Sequence, residues 1–246
     1  MFASRSQTGT RLGAVPFLVF STAACSSTND SSSIATAGAS AANASTAAAA
    51  SASAAGEPTT GLTQVEVAGE GFSIGIPVGW TELSAADLEE AGGFDELESA
   101  NPGVANALSQ AQAAIESGQL ALFAADVEPQ DPSSPFVARI NVTNGGPTGE
   151  LPADAAEQMA AGVRAQIPVN GDIQTGSAPL PAGDAAVLRY ESSAVGEDGS
   201  STDVAVSQYA LVANANGYII TFSAPAGAMA EYGPVFDQVV QSFEAG

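Results

Sequence analysis

Residues 26–61 set the main constraint on the fold, because thirty of these 36 residues are Ala, Ser, Thr or Gly. Such a segment buries too little apolar surface to offset the entropy lost on ordering. It divides the 246-residue chain into an N-terminal segment over residues 1–24, a disordered tether over residues 25–61 and a folded unit over residues 62–246. The 185 residues of the last part are enough for one domain with a sizeable core.

The N-terminal segment has the layout of a secretory signal. Two arginines precede the apolar stretch Leu12–Phe20, which is too short to span a membrane. The sequence Thr22-Ala-Ala-Cys25 contains the chain's only cysteine and resembles the lipobox of bacterial lipoproteins, with Thr22 where leucine is commonest. The resemblance implies that the thiol of Cys25 carries a diacylglyceryl group and that acyl chains such as palmitate anchor the mature protein. The alternative is an ordinary secretory peptide cut just ahead of the cysteine.

The composition excludes several classes of catalytic and binding site. The chain has no histidine, and its five basic residues are all arginines. It therefore lacks an imidazole base, a histidine metal ligand and a lysine nucleophile. A single cysteine forms neither a disulfide framework nor a zinc site. We expect no catalytic residue, no cofactor and no metal.

The charge balance excludes nucleic acid as a partner. The chain has 27 acidic and 5 basic residues, and loss of the two signal-peptide arginines leaves 3 − 27 = −24. Nucleic-acid binding requires clustered basic residues. Anionic headgroups repel such a domain within a Debye length of about 8 Å. A flexible tether of this length spans roughly 30–35 Å and would hold the domain near the membrane.

Hydrophobic periodicity predicts the element order β-β-α-β-β-α-β-β-β-β-α for the folded unit. The predicted strands are Leu62–Val67, Phe72–Ile76, Gln119–Asp126, Phe136–Val142, Ile173–Ser177, Ala185–Val195, Asp203–Ala213 and Tyr218–Ser223. The predicted helices begin at a Ser84/Asp87 capping pair and at Asn101, the latter ending by Gly118, and cover about Pro152–Ile167 and Tyr232–Phe243. Hairpin signals lie at Gly69–Gly71, Gly196–Gly199 and Asn216-Gly217. Tightly connected strands predict an α+β fold, an antiparallel β-sheet flanked by α-helices.

Two motifs resemble a known domain type. The stretch Phe72-Ser-Ile-Gly-Ile-Pro-Val-Gly-Trp80 is similar to the F-x-I-x-x-P-x-x-W segment of PsbP-like domains. Strand Tyr218–Phe222 and the helix end Val239–Phe243 are similar to the close of those domains. With the lipobox and tether, the chain most resembles actinobacterial LpqN-type lipoproteins. The resemblance implies a PsbP-like α/β/α sandwich over residues 62–246 and a non-enzymatic envelope lipoprotein.

Three residues are candidates for ligand binding. Arg139 and Arg189 each occupy a mid-strand polar position and would clamp a carboxylate or phosphate if they converged. The alternative is that both pair with internal carboxylates. Trp80 would line an apolar groove for a lipid tail or peptide. Four further aromatic residues would join it there, with ordinary core packing as the alternative: Tyr190, Tyr209, Tyr218 and Phe222.

Two further motifs resemble functional sites but are also explained by ordinary secondary structure. Gly71–Gly75 matches G-x-S-x-G, but it lies within a predicted strand and no histidine exists to act as base. Asp198, Ser200 and Asp203 would offer oxygen ligands to calcium, with a polar hairpin turn as the alternative.

These observations favour a lipid-anchored, non-enzymatic lipoprotein on the outer face of a bacterial plasma membrane. It would bind or recruit an envelope protein, a peptide or a glycolipid. One alternative is a structural lipoprotein that supports assembly and has no ligand pocket. Another is a hydrolase that uses only carboxylates, which requires buried acids with raised pKa in a cleft.

Overall fold

The computed structural model describes residues 61–85, 105–127, 136–195 and 199–246. The predicted signal peptide, Cys25 and the tether lie outside these residues, as do Asp87, the helix start at Asn101 and most of the Gly196–Gly199 turn. Within the described ranges, none of the helices is long and apolar enough to cross a membrane.

The described residues form ten strands and three helices, in the α+β arrangement that the sequence predicts. The strands are β1 Leu62–Val67, β2 Phe72–Pro77, β3 Thr81–Ser84, β4 Leu122–Ala125, β5 Arg139–Pro147, β6 Val169–Leu180, β7 Gly183–Val195, β8 Ser201–Ala213, β9 Asn216–Pro225 and β10 Glu244–Ala245. The helices are α1 Ala105–Glu116, α2 Ala155–Gln166 and α3 Met229–Gln241. A short 3₁₀ turn, Ala226–Ala228, leads into α3.

The strands pair into two antiparallel sheets. The large sheet has seven strands in the order β3-β4-β5-β9-β8-β7-β6, and the small sheet has three in the order β1-β2-β10. Every strand pair in both sheets is antiparallel. The antiparallel prediction from tight turns is therefore confirmed.

One face of the large sheet forms the main core together with α3 and the small sheet. On the central strands, Ile140 and Val142 of β5 and Ile220 and Phe222 of β9 are fully buried on this face. They pack against α3, which directs Val235, Phe236, Val239 and Val240 inward at helical spacing.

The other face of the large sheet is covered by α1 and α2. Helix α1 packs over the β3–β4 edge and buries Leu108 and Ile115 there. Helix α2 packs over the β6–β7 edge with Met159 and Val163. It carries Glu157 in its first turn and Arg164 in its last, as the helix dipole favours. Helices on both faces make the sandwich that the sequence resemblance implied.

The sequence prediction missed two short strands and misplaced one turn, and the bounds of β4, β5 and β6 also differ from those predicted. Strands β3 and β10, of four and two residues, are too short to give a periodic signal. Ser84 ends β3, and Ala85 directly after it is helical, in agreement with the predicted helix start at Ser84. The β8–β9 hairpin turns at Asn214 and Ala215, which have φ of 49° and 61°, and not at Asn216-Gly217. The side-chain Nδ2 of Asn214 donates to the carbonyl oxygens of Ala245 and Gly246 at 3.1 and 2.7 Å, which stabilises the turn at this position.

Gly75 in β2 is required by the close approach of the end of α3. Its backbone N–H donates to the Ser242 hydroxyl at 2.7 Å, and a Cβ at Gly75 would lie 2.7 Å from that oxygen and 2.9 Å from Leu62 Cδ1. We expect Gly75→Ala to lower the free energy of unfolding by about 1–3 kcal/mol through overpacking. Urea denaturation would measure it, with Gly162→Ala on α2 as control, since a Cβ at Gly162 meets nothing within 4 Å. Equal stability of the two variants would contradict this reason for the glycine.

Candidate functional site

The two central strands of the large sheet are apolar on one face and polar on the other. Opposite the buried core side chains, β5, β9 and β8 carry a group that we call the central polar strip: Arg139, Asn141, Gln208, Thr221 and Ser223. The registers pair Arg139 with Ser223 and Asn141 with Thr221, so these side chains lie side by side on neighbouring strands. Such alternation is typical of a strand whose second face is not packed into an apolar core.

The central polar strip lies between two helix-covered regions. On one side, α1 packs against Leu83 and Phe123 of β3 and β4. On the other side, α2 packs near Leu188 and Ala210 of β7 and β8. The strip thus forms the polar middle of a sheet face whose flanks are apolar, an arrangement suited to orienting a bound group by a few convergent polar atoms.

Hydrogen bonds link the members of the strip across the strands. The Nε of Arg139 donates to the Ser223 hydroxyl at 3.2 Å, and the Nε2 of Gln208 donates to Thr221 Oγ1 at 3.3 Å. Ser223 is 3% exposed and Gln208 is 8% exposed. These bonds hold the polar side chains in place along the floor of the strip.

Arg139 is the charged member of the strip. It is half-buried, and its Cζ lies 4.6 Å from the centre of the Phe136 ring. Burial lowers the pKa of Arg139 to about 10, and the neighbouring Tyr190 hydroxyl opposes that shift. Burial in turn raises the pKa of Tyr190 to about 12, opposed by Arg139. At neutral pH, Arg139 is therefore a desolvated cation beside a neutral phenol.

The structure does not bring Arg139 and Arg189 together. Continuous pairing across β5, β9, β8 and β7 places Arg139 in register with Tyr190, so the adjacent Arg189 points to the opposite face. Arg189 is exposed, and its Nη2 donates to the Tyr209 hydroxyl at 3.1 Å. A clamp made of both arginines is therefore not formed.

Trp80 belongs to an aromatic cluster on the core side of the sheet. It is half-buried and packs edge-on against Tyr232 and Phe236 of α3, with ring centres 6.1 and 6.3 Å apart. The other aromatic candidates, Tyr190, Tyr209, Tyr218 and Phe222, are buried. These four residues pack in the interior, as the core alternative predicts, and Trp80 packs against the core while part of its side chain stays accessible.

The remaining motifs are part of the strand framework. Ser73 lies in β2 and accepts a hydrogen bond from Gln64 Nε2 at 2.9 Å. Asp203 accepts from Asn170 Nδ2 at 3.0 Å and from the Ser193 hydroxyl at 3.1 Å. Across the ranges that the structure describes, no three acidic or cysteine side chains are grouped so as to hold a metal ion.

Sequence reasoning found Arg139 but missed its neighbours in the strip. Gln208, Thr221 and Ser223 are ordinary polar residues within strands, far from Arg139 in sequence. Only the strand order, with β9 between β5 and β8, makes them adjacent. The alternation of Arg139, Asn141 and Thr143 along β5, and of Thr221 and Ser223 along β9, is the signal in the sequence that would have indicated them.

Comparison with known proteins returns similar folds only among solved structures. No family model and no curated protein matches the chain. It is similar to cyanobacterial PsbP (CyanoP) from Synechocystis, with 13% identity over 75% of this chain and 92% of that one and a TM-score of 0.41. It is similar to LpqN of Mycobacterium tuberculosis, involved in cell envelope biogenesis, with 13% identity over 74% and 89% and a TM-score of 0.41. The Saccharomyces cerevisiae Ran-binding protein Mog1p is also similar, with 10% identity over 75% and 95% and a TM-score of 0.42.

Proposed function

We propose that this chain is a lipid-anchored, non-enzymatic envelope lipoprotein that binds an envelope protein, peptide or lipid through the central polar strip. The lipobox-like segment ending in Cys25 supports the anchor. The small-residue tether supports a domain held away from an anionic membrane surface that repels it. The outer face of a bacterial plasma membrane is the location that these features together favour.

The observation that carries the binding function is the chemistry of the central polar strip. Its five side chains offer a guanidinium, two amides and two hydroxyls, which donate and accept hydrogen bonds. None of these groups takes up a proton near neutral pH, and catalysis by general base needs one that does. A strip of this kind is suited to holding a polar ligand without transforming it.

The assembly alternative is less well supported. A protein that only stabilises a larger complex would present one large apolar patch. Among the described residues, the exposed large hydrophobic side chains are Val78, in the segment between β2 and β3, and Val195, at the end of β7. The central polar strip, with Arg139, Asn141 and Thr221 partly accessible, is thus the more specific candidate for binding among the described residues.

The anchor is tested by replacing its cysteine in cells that process lipoproteins. We expect the parent chain to incorporate labelled palmitate and to remain with the membrane fraction. Cys25→Ser should incorporate none and be released almost completely, because each buried CH₂ contributes about 0.8 kcal/mol of membrane affinity. Ser26→Ala, one residue further on, is the matched control and should behave as the parent. An unlabelled parent that is released as readily as Cys25→Ser would exclude the anchor.

A further inference from the structure

Arg139 is a half-buried, desolvated cation whose described contacts are all uncharged. Its guanidinium contacts the Ser223 hydroxyl and the Phe136 ring, and no carboxylate of the described residues forms an ion pair with it. Taking a charge out of water is costly unless an opposite charge compensates it. The chain has nine acids for each arginine beyond the signal segment, 27 against 3, so the lack of a paired acid here is unexpected on composition.

This guanidinium forms one hydrogen bond within the described residues. An arginine has five N–H donors, and the hydrogen bond to Ser223 uses the one on Nε. Within the described residues, no side-chain nitrogen or oxygen is both fully buried and without a hydrogen-bond partner. Arg139 is half-buried and its two Nη groups are not fully enclosed, so their four N–H groups remain for an incoming acceptor.

We propose that Arg139 is the centre of a binding site for a singly charged oxyanion, a carboxylate or a phosphodiester. The inference rests on the proposed binding function and names the chemical group that the strip recognises. Both groups accept two parallel N–H bonds from a guanidinium. Asn141 and Thr221 lie two residues along the strands from Arg139 and Ser223, where they would contact the polar part of the ligand beyond the anion.

The strongly negative net charge of the protein favours a ligand with a single negative charge. One guanidinium neutralises one negative charge, and each further charge on the ligand meets a mature chain of 3 − 27 = −24. The neighbouring Tyr190 stays neutral, because burial raises its pKa to about 12, so it adds no negative charge beside the guanidinium. A phosphate dianion should therefore bind more weakly than acetate or dimethyl phosphate.

The test is a titration of the full chain in detergent, with ¹⁵N-labelled arginine, at constant ionic strength. Acetate and dimethyl phosphate serve as separate probes, which distinguishes a carboxylate from a phosphodiester, and inorganic phosphate serves as the dianion. We expect at least one monoanion to shift the Arg139 Nε–H signal saturably. Arg139→Met should weaken binding of that probe roughly tenfold to hundredfold, measured by calorimetry. Arg189→Gln removes an equal charge on the opposite face and should leave the affinity unchanged.

The stability of the methionine variant separates binding from a structural role. If the role of Arg139 is to bind a ligand, Arg139→Met should keep or increase resistance to urea, because it removes a desolvated charge and retains the aliphatic part of the side chain. A destabilised variant together with no response to any anion would overturn the inference. A second result would also overturn it: the Arg139 Nε–H signal of the parent does not respond to any of the three probes, but it shifts in the double variant Glu128→Gln/Asp131→Asn. These two acids precede Arg139 closely in the sequence, and the result would mean that a carboxylate of the chain itself occupies the site. Palmitate incorporation is measured independently, so failure of the anion-binding proposal can be distinguished from failure of the proposed lipid anchor.

Discussion

Replacing Phe243 by alanine should lower the free energy of unfolding by about 3–5 kcal/mol, the range for removing a buried aromatic ring. Phe243 is 0% exposed and follows α3 directly. Its ring stacks on Phe72 of β2 at 5.4 Å and meets Tyr218 of β9 edge-on at 5.1 Å. The three rings join the small sheet, the large sheet and the end of α3, so their loss leaves a cavity at the junction of all three.

Urea denaturation followed by tryptophan fluorescence would measure this change, since Trp80 is the chain's only tryptophan. Val195→Ala provides the control, because Val195 is 55% exposed and its truncation should change stability by less than about 0.5 kcal/mol. A loss below about 1 kcal/mol for Phe243→Ala would mean that the two sheets do not depend on this aromatic junction.

Stability should fall steeply between about pH 10 and pH 12 because three tyrosines have raised pKa in the folded state. Burial raises the pKa of Tyr190 to about 12. Burial also raises the pKa of Tyr218, and for Tyr232 a hydrogen bond to Asp126 Oδ2 at 2.7 Å adds to the effect of burial. The unfolded chain releases these protons near pH 10, while the folded chain retains them.

The sign follows from the number of protons bound in each state. Above pH 10 the folded chain binds more tyrosine protons than the unfolded chain, so the free energy of unfolding decreases as pH rises. Arg139 acts in the opposite direction, because burial lowers its pKa to about 10 from 12.5. The effects of Tyr190 and Arg139 on stability are of similar size and opposite sign, so Tyr218 and Tyr232 set the net loss of stability by pH 12.

Urea midpoints at pH 9, 10 and 11 would show this slope, and absorbance at 295 nm would report tyrosine ionisation in the folded protein. Tyr232→Phe should flatten the slope while its stability at pH 8 falls by about 1 kcal/mol through the lost hydrogen bond. A urea midpoint that stays constant from pH 9 to pH 11 would exclude the raised pKa values.

Most of the architecture could be predicted because its elements have strong periodic signals. Helix α2 has an apolar stripe with charges suited to the dipole at each end, and it was predicted to within three residues. The predicted Asn216-Gly217 turn was wrong for a tertiary reason. Gly217 lies inside β9, where a Cβ would come within 3.1 Å of Thr148 Cγ2, and the turn residues are held by contacts at the distant C-terminus.

The candidate site was harder to predict than the fold. Arg139 was visible as a cation in a polar position of a strand, but the face on which it lies depends on register across several strands. Its separation from Arg189 follows from pairing between β5, β9, β8 and β7, which no local pattern encodes. The lack of an acidic partner among the described residues is also a tertiary property, and the composition alone favoured the opposite.

The position of β1 determines how the folded unit responds to mechanical force. It is an edge strand that pairs only with β2, and its first residue, Leu62, is in register with Pro77. A pull on residue 61 loads this hairpin at its open end, so its backbone pairs separate one after another and not all at once. The N-terminal end of the folded unit should therefore yield at low force, while the seven-stranded sheet, to which β1 does not belong, remains intact.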